Sequence, residues 1–186
     1  QDNGAGNALD FDGSNDYVDC GNNASVQITG TAITMEAWIK PTKVAGTMSI
    51  IKKTGIITGG TGYELYCGSA GWVYCRFNGN DASRAWSTTP YPTDGRWMHV
   101  AATYDGINTR MYVNGVLEAT TAYTAPIVNS TNFLAIGTDL STTLKLFQGS
   151  IDEVRLWNVV RSDADIKANM TKKLVGNESG LVGYWR

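Results

Sequence analysis

At 186 residues with a formal net charge of −2, the chain is one domain's worth of protein, long enough to bury a core without disulfide staples. Only 17% of residues are charged and 21 are glycine, a turn-rich composition that suits an all-β chain. Lysine and arginine are scattered apart from Lys52-Lys53 and Lys172-Lys173, which excludes a basic stripe tracking nucleic-acid phosphates, and no apolar run approaches the ~20 residues that cross a bilayer as a helix.

Taken in order, ALDFDGSNDYVDC (8–20) reads as a strand, an Asp/Asn/Gly turn and a second strand. ITMEAWIKP (33–41) alternates Ile33, Met35, Ala37 and Ile39 against Thr34, Glu36, Trp38 and Lys40, and Pro41 closes it. Short strand patterns follow at 48–53, 63–67, 72–77, 97–104, 109–113, 116–120, 133–137, 150–158 and 181–185, the spacing of a β-sandwich. Segment 78–95, NGNDASRAWSTTPYPTDG, lacks the alternation and reads as a long loop. Asn114-Gly115 separates two strand patterns by two residues, the signal of a type I′ hairpin, so strands 97–104, 109–113 and 116–120 are expected to be consecutive antiparallel neighbours. One helix is predicted near the C-terminus, with Ser162 as its cap, Asp165 three residues on, and Ile166 and Met170 on one face. The chain opens QDNGAGN without an initiator Met and ends GLVGYWR on a strand pattern, so a single domain, 1–186, cut from a larger protein is expected.

The reactive inventory is short. There is one histidine, His99, so any histidine-based relay must use it, and a multi-histidine zinc site cannot be built. His99 lies in the alternating stretch WMHVAATY and reads as a packed strand residue. Five glutamates are widely dispersed, with no E-x-D-x-x-E strand motif to place several carboxylates on one face. Cys20, Cys67 and Cys75 form no C-x-x-C pair. A four-residue loop GSAG would set Cys67 opposite Trp72 and Cys75 opposite Glu64, on opposite faces, so the thiols are expected to act as small buried hydrophobes. Trp38, Trp97, Trp157 and Trp185 fall in or beside strand patterns and are expected in the core, with Glu36 and Arg155 a buried pair.

Five pieces in order, ALDFDGSNDYV, ITMEAWIKP, GRWMHVAATYDG with TRMYVNG, FQGSIDEVRLWNVVRS and GLVGYW, resemble the laminin-G-like, concanavalin A-like jelly-roll (LamG-type) domains over nearly the whole chain. The resemblance implies an all-β fold of two antiparallel sheets packed face to face, here with one short C-terminal helix. It also implies a module of secreted or cell-surface proteins that binds a glycan, polysaccharide or protein surface. Enzymes share the fold, but their catalytic strand motifs have no counterpart around His99 or Glu64.

Asp12-Gly13-Ser14-Asn15-Asp16 concentrates oxygen donors on a tight turn, as a calcium ion requires. The resemblance adds Asp152 as a sequence-distant anchor, so a structural calcium held by Asp12, Asn15, Asp16 and Asp152 is expected; the alternative is a plain Asx turn. For a ligand, sugar rings stack their C–H faces on flat aromatics while amides and charged groups take the hydroxyls. Trp72 at a hairpin edge, with Asn78, Asn80, Asp81, Arg84, Trp86 and Tyr91 in segment 78–95, is the expected surface. A non-catalytic carbohydrate-binding module with structural calcium is the leading reading. An adhesion or protein-interaction module is the alternative, and a polysaccharide-cleaving domain a minor one.

Overall fold

The computed structural model describes residues 8–44, 46–54, 60–139 and 145–186. Its strands are β1 (Leu9–Asp12), β2 (Val18–Asp19), β3 (Ile33–Pro41), β4 (Met48–Lys52), β5 (Tyr63–Cys67), β6 (Trp72–Phe77), β7 (Asn80–Pro90), β8 (Met98–Tyr104), β9 (Asn108–Val113), β10 (Val116–Ala122), β11 (Ala135–Ile136), β12 (Gln148–Trp157) and β13 (Leu181–Trp185), with α1 (Asp163–Asn169) between the last two. They form two antiparallel sheets. The first runs β1-β12-β3-β8-β9-β10, with β13 pairing the far half of β12; the second runs β2-β11-β4-β5-β6-β7. This is the all-β sandwich expected from the sequence, and β8, β9 and β10 are the three consecutive neighbours that the Asn114-Gly115 turn predicts.

Period-two alternation sends one side of every strand inward. Ile33, Met35, Ala37 and Ile39 of β3 meet Val100, Ala102, Met111, Val113, Ile151 and Leu156 from neighbouring strands, and face Ile50, Leu65, Val73, Cys75 and Phe77 of the second sheet. Each such aliphatic side chain removed from water contributes about 1.5–3 kcal/mol. Ser162 caps α1 as predicted: its hydroxyl accepts from Asp165 N at 3.1 Å. Ile166 then packs on Ala101 and Tyr112, on the outer side of the first sheet.

Segment 78–95 is not a loop. Most of it is β7, the longest strand, paired with β6 through Phe77↔Asn80, Cys75↔Ala85, Tyr74↔Trp86 and Trp72↔Pro90. Asn78 and Gly79, with φ of 52° and 56°, make the tight turn joining the two strands, the same Asn-Gly signal as at 114–115. The alternation is masked because the inward positions carry small residues, Ser83, Ala85 and Ser87, while large Trp86 faces out. The two serine hydroxyls, which would be costly to bury unpaired, accept from Phe77 N at 2.8 Å and Val73 N at 2.9 Å.

Two further expectations are corrected. The β5–β6 register is Cys67↔Val73, Leu65↔Cys75 and Glu64↔Arg76, because Gly68 N also donates to Trp72 O at 2.7 Å and shortens the loop. Both cysteines therefore face the core. Burial pushes the Cys75 thiol up to about 12 and raises that of Cys67 further. The tryptophans divide: Trp157 is fully buried, as expected, and Trp185 packs against the core cluster from its rim, but Trp38 and Trp97 are only half-buried on the outer face of the first sheet. Trp157 is buried on the outer side of the first sheet, under the Arg161 guanidinium at 4.4 Å.

That outer side carries a second, polar layer. Glu36 and Arg155 are cross-strand partners, 4.0 Å apart and both buried, as expected. Glu36 also accepts from Trp157 Nε1 at 2.7 Å and lies 3.4 Å from His99 Nε2. Burial alone would raise the Glu36 carboxyl, but His99, Arg155 and Trp157 outweigh it and leave it lowered. The edge strands β7 and β10 are tied by Glu118, whose carboxylate accepts from Thr88 N at 2.7 Å and Thr89 N at 2.9 Å. Elsewhere Lys53, fully buried, donates to Asn22 Oδ1, Ser130 O and Asn132 O at 2.6, 2.9 and 2.6 Å, stapling two connections together.

Candidate functional site

With Val73, Cys75 and Phe77 committed to the core, alternation turns Trp72, Tyr74 and Arg76 of β6 to the outer face of the second sheet. The register sets Glu64 opposite Arg76, Tyr66 opposite Tyr74 on one side, and Trp86 opposite Tyr74 on the other. Lys52 of β4 lies opposite Glu64. Four neighbouring strands thus place cations, carboxylates and aromatic rings on one surface.

Its base is buried and charged. Glu64, with no exposure, accepts from Arg76 Nε and from Thr54 Oγ1 at 2.7 Å, and lies 3.5 Å from the Lys52 ammonium. Asp139 stands 3.7 Å from the same ammonium, which also donates to Tyr66 Oη at 2.7 Å. Burial lowers the Lys52 amine, and the two carboxylates only partly oppose that. A buried cation is stable only when paired in this way.

Over that base runs an aromatic ladder. Tyr66 stacks on Tyr74 with centroids 5.3 Å apart, and Tyr74 meets Trp86 at 4.3 Å. Arg84 lies 5.1 Å over Tyr74 and 5.7 Å over Trp86, while Asp81 pairs with both Arg84 and Arg76 at 2.8 Å. Gly68 gives the Trp86 ring its place: a Cβ there would sit 2.9 Å from Trp86 Cζ3. Trp72 and Trp86 remain 39% exposed each, at the open end of the ladder. Flat aromatic faces beside a guanidinium and a carboxylate can hold a ring that has an apolar face and hydroxyl edges.

Of the residues expected from the sequence, the fold brings Trp72, Asp81, Arg84 and Trp86 to this surface. Asn78, Asn80 and Tyr91 serve the scaffold. Asn78 accepts from Val128 N and donates to Pro126 O, Asn80 accepts from Ala82 N, and Tyr91, 3% exposed, donates to Gly68 O at 2.9 Å. Lys52, Glu64, Tyr66, Tyr74 and Arg76 were missed. Their strands were legible, but the partner of each lies on another strand.

The four-residue calcium set is not assembled. The register puts Asp12 opposite Gln148, and Asp152 is four residues further along β12, ~13 Å away at the rise of a strand. The turn is held by its own amides: Asp12 Oδ1 accepts from Ser14 N at 2.7 Å and Asp16 Oδ2 from Asp12 N at 2.9 Å. Asn15 is exposed on it. Asp152 is buried beside Trp38, accepts from Glu153 N, and has its carboxyl raised chiefly by burial. Among the described residues no three His, Cys, Asp or Glu side chains converge as a metal site. The residues present do not fit a calcium ion shared by the turn and Asp152.

Residues 12–167 match the Laminin_G_3 family, described as the concanavalin A-like lectin/glucanases superfamily. The chain belongs to this superfamily. As a concanavalin A-like domain it is similar to a Bacteroides ovatus protein described as a candidate carbohydrate-binding protein, at 25% identity and a TM-score of 0.78, over 96% of this chain and 50% of that one. The CBM40 module of the Ruminococcus gnavus IT-sialidase superposes with a TM-score of 0.67 at 20% identity, over 87% of this chain and 95% of the module. Mouse pappalysin-1 is 35% identical over 81 residues, 41% of this chain but 5% of that relative's length. This concanavalin A-like chain therefore spans half of the first and a small fraction of the last. No helix of the described residues is long and apolar enough to cross a membrane.

Proposed function

We infer that the chain is an extracellular, non-catalytic domain that binds carbohydrate on the outer face of β6 and β7. The observation that carries this reading is the Tyr66–Tyr74–Trp86 ladder, closed below by a paired ionic base and left open at Trp86 and Trp72. Trp86 and Trp72 stack the sugar rings, and Arg84 and Asp81 take hydroxyls. The likeness to carbohydrate-binding proteins supports the ligand class. A non-catalytic role is supported by the state of the carboxyls nearest the chain's strongest polar groups. Glu36, beside His99, is 2% exposed and bonded to Trp157, and Glu64 is enclosed by Arg76 and Lys52.

Glycan-array screening and affinity electrophoresis against soluble polysaccharides test the reading. Binding is expected to at least one neutral or acidic glycan and to fall by at least about tenfold, ~1.4 kcal/mol, in Trp86→Ala. Binding unchanged in both Trp86→Ala and Trp72→Ala would move the site elsewhere. Release of shortened products from a polysaccharide would overturn the non-catalytic assignment.

A further inference from the structure

A second aromatic surface lies on the other side of the molecule, on the outer face of the first sheet. A cleft of about 480 Å³ opens between Trp38 of β3 and Trp97, the residue before β8. Gly95, Arg96, Asn114, Met170 and Thr171 complete its walls. Both tryptophans are half-buried and line the cleft. Their positions are fixed from behind: Trp38 Nε1 donates to Met170 O at 2.7 Å and its ring meets His99 edge-on at 5.4 Å. Asn114, in the left-handed region at φ 49°, accepts from His99 N through Oδ1, and its Nδ2 bonds nothing among the described residues. The volume falls within the usual range for small-ligand sites.

Basic side chains gather around this cleft in a chain whose net charge is −2, with Asp94 the acid at its rim. The Lys40 ammonium sits over one face of the Trp97 ring, 5.0 Å from its centroid, which leaves the other face for a ligand. Lys167 of α1 packs against Gly115, next to Asn114 in the same turn. Arg96 gives only its Nε to Asp94, at 2.8 and 3.1 Å to the two oxygens, and its terminal nitrogens bond nothing among the described residues. The acids nearby are engaged: Asp94 by Arg96, Asp152 by Glu153 N in a buried position, and Asp163 by the Tyr112 hydroxyl. A planar guanidinium with a free edge suits a carboxylate, which it can bind bidentately.

We propose that the Trp38–Trp97 cleft is a second carbohydrate site and that it takes an acidic saccharide, one whose ring carries a carboxylate. The ring lies against indole, the carboxylate meets the free edge of Arg96 with Lys40 close by, and the Asn114 amide and Thr171 hydroxyl take hydroxyls. The ligand class rests in part on the reading that the chain binds carbohydrate. The location and the preference for acidic sugars rest on this cleft alone. Two sites on opposite faces would let one domain bridge two polysaccharide chains.

The six tryptophan indole N–H resonances, assigned through single Trp→Phe variants, report both surfaces separately. A hexuronate tetrasaccharide and a neutral hexose tetrasaccharide are titrated into the 15N-labelled chain. The hexuronate is expected to shift the Trp97 signal, at an affinity about tenfold or more above that of the neutral sugar. The response is expected to persist in Trp86→Ala and to weaken by about tenfold in Arg96→Ala, whose exposed side chain the fold does not need. A static Trp97 signal, equal response to both sugars, or loss of the response in Trp86→Ala each overturns the proposal. A static Trp86 signal with a moving Trp97 signal would instead remove the β6–β7 site and leave this one standing.

Discussion

The Trp86 ring lies 4.3 Å from that of Tyr74 and is tilted 37° to it, yet more than a third of Trp86 stays in water. A large apolar side chain held by a buried neighbour and left open on its far side is pre-ordered for stacking. Removing it should cost binding far more than folding. Trp86→Ala is expected to lose about 0.5–1.5 kcal/mol of stability from the aromatic pair, with the far-ultraviolet dichroism unchanged, while glycan retention on an affinity gel disappears. Global unfolding of the variant would show that the ring is a structural member.

Among the described residues Glu64 is the one carboxylate reached by both Arg76 and Lys52, in the base of the same face. Truncation takes the shared partner from two buried cations and leaves Lys52 with Asp139 and Arg76 with Asp81 alone. Glu64→Ala is expected to destabilise the chain by about 3–5 kcal/mol, measured as a fall in denaturant midpoint at constant slope. A loss below about 1 kcal/mol would mean that water reaches the cations.

Glu118 ties the two edge strands through Thr88 and Thr89. Burial acts to raise its carboxyl, but the bonds from Thr89 and Thr88 prevail and leave it lowered. A carboxyl lowered on folding adds stability above its unfolded value of ~4.3, and loses it as the pH falls through the lower folded value. Glu118→Gln is therefore expected to cost about 1 kcal/mol at neutral pH, with the gap from the parent chain closing below that value. Denaturation of both proteins at neutral and acid pH checks it; a gap independent of pH contradicts the ionic account.

Calcium bears on the separation of Asp12 from Asp152. An ion held at a hundredfold over its dissociation constant would add ~2.7 kcal/mol and raise the melting temperature by several degrees. Melts in calcium and in EDTA are expected to coincide. A clear difference that survives Asp152→Asn would place an ion on the Asp12–Asp16 turn alone.

The sandwich was legible because its signals are local. Alternation in ITMEAWIKP, the Asn114-Gly115 turn and the Ser162 cap each act within a few residues, and the structure has all three. β7 was lost because its inward side chains are serine and alanine while its tryptophan faces water, which inverts the usual pattern; the Asn78-Gly79 turn at its head was the available clue. Trp72, Arg84 and Trp86 stood out as aromatic and charged residues in an irregular stretch. Lys52, Glu64 and Arg76 did not, because a buried ion cluster is defined by cross-strand register, and register here depends on loop length to within one residue.

The three oxygens around Lys53 also govern its chemistry. An amine with every hydrogen engaged and no surface cannot meet an acylating reagent, and Lys52 beside it in sequence is equally enclosed. The basic doublet that looks from the sequence like a protease target or labelling hotspot is inert in the folded chain. Its acylation rate would therefore time the opening of the sheet margin that shields it.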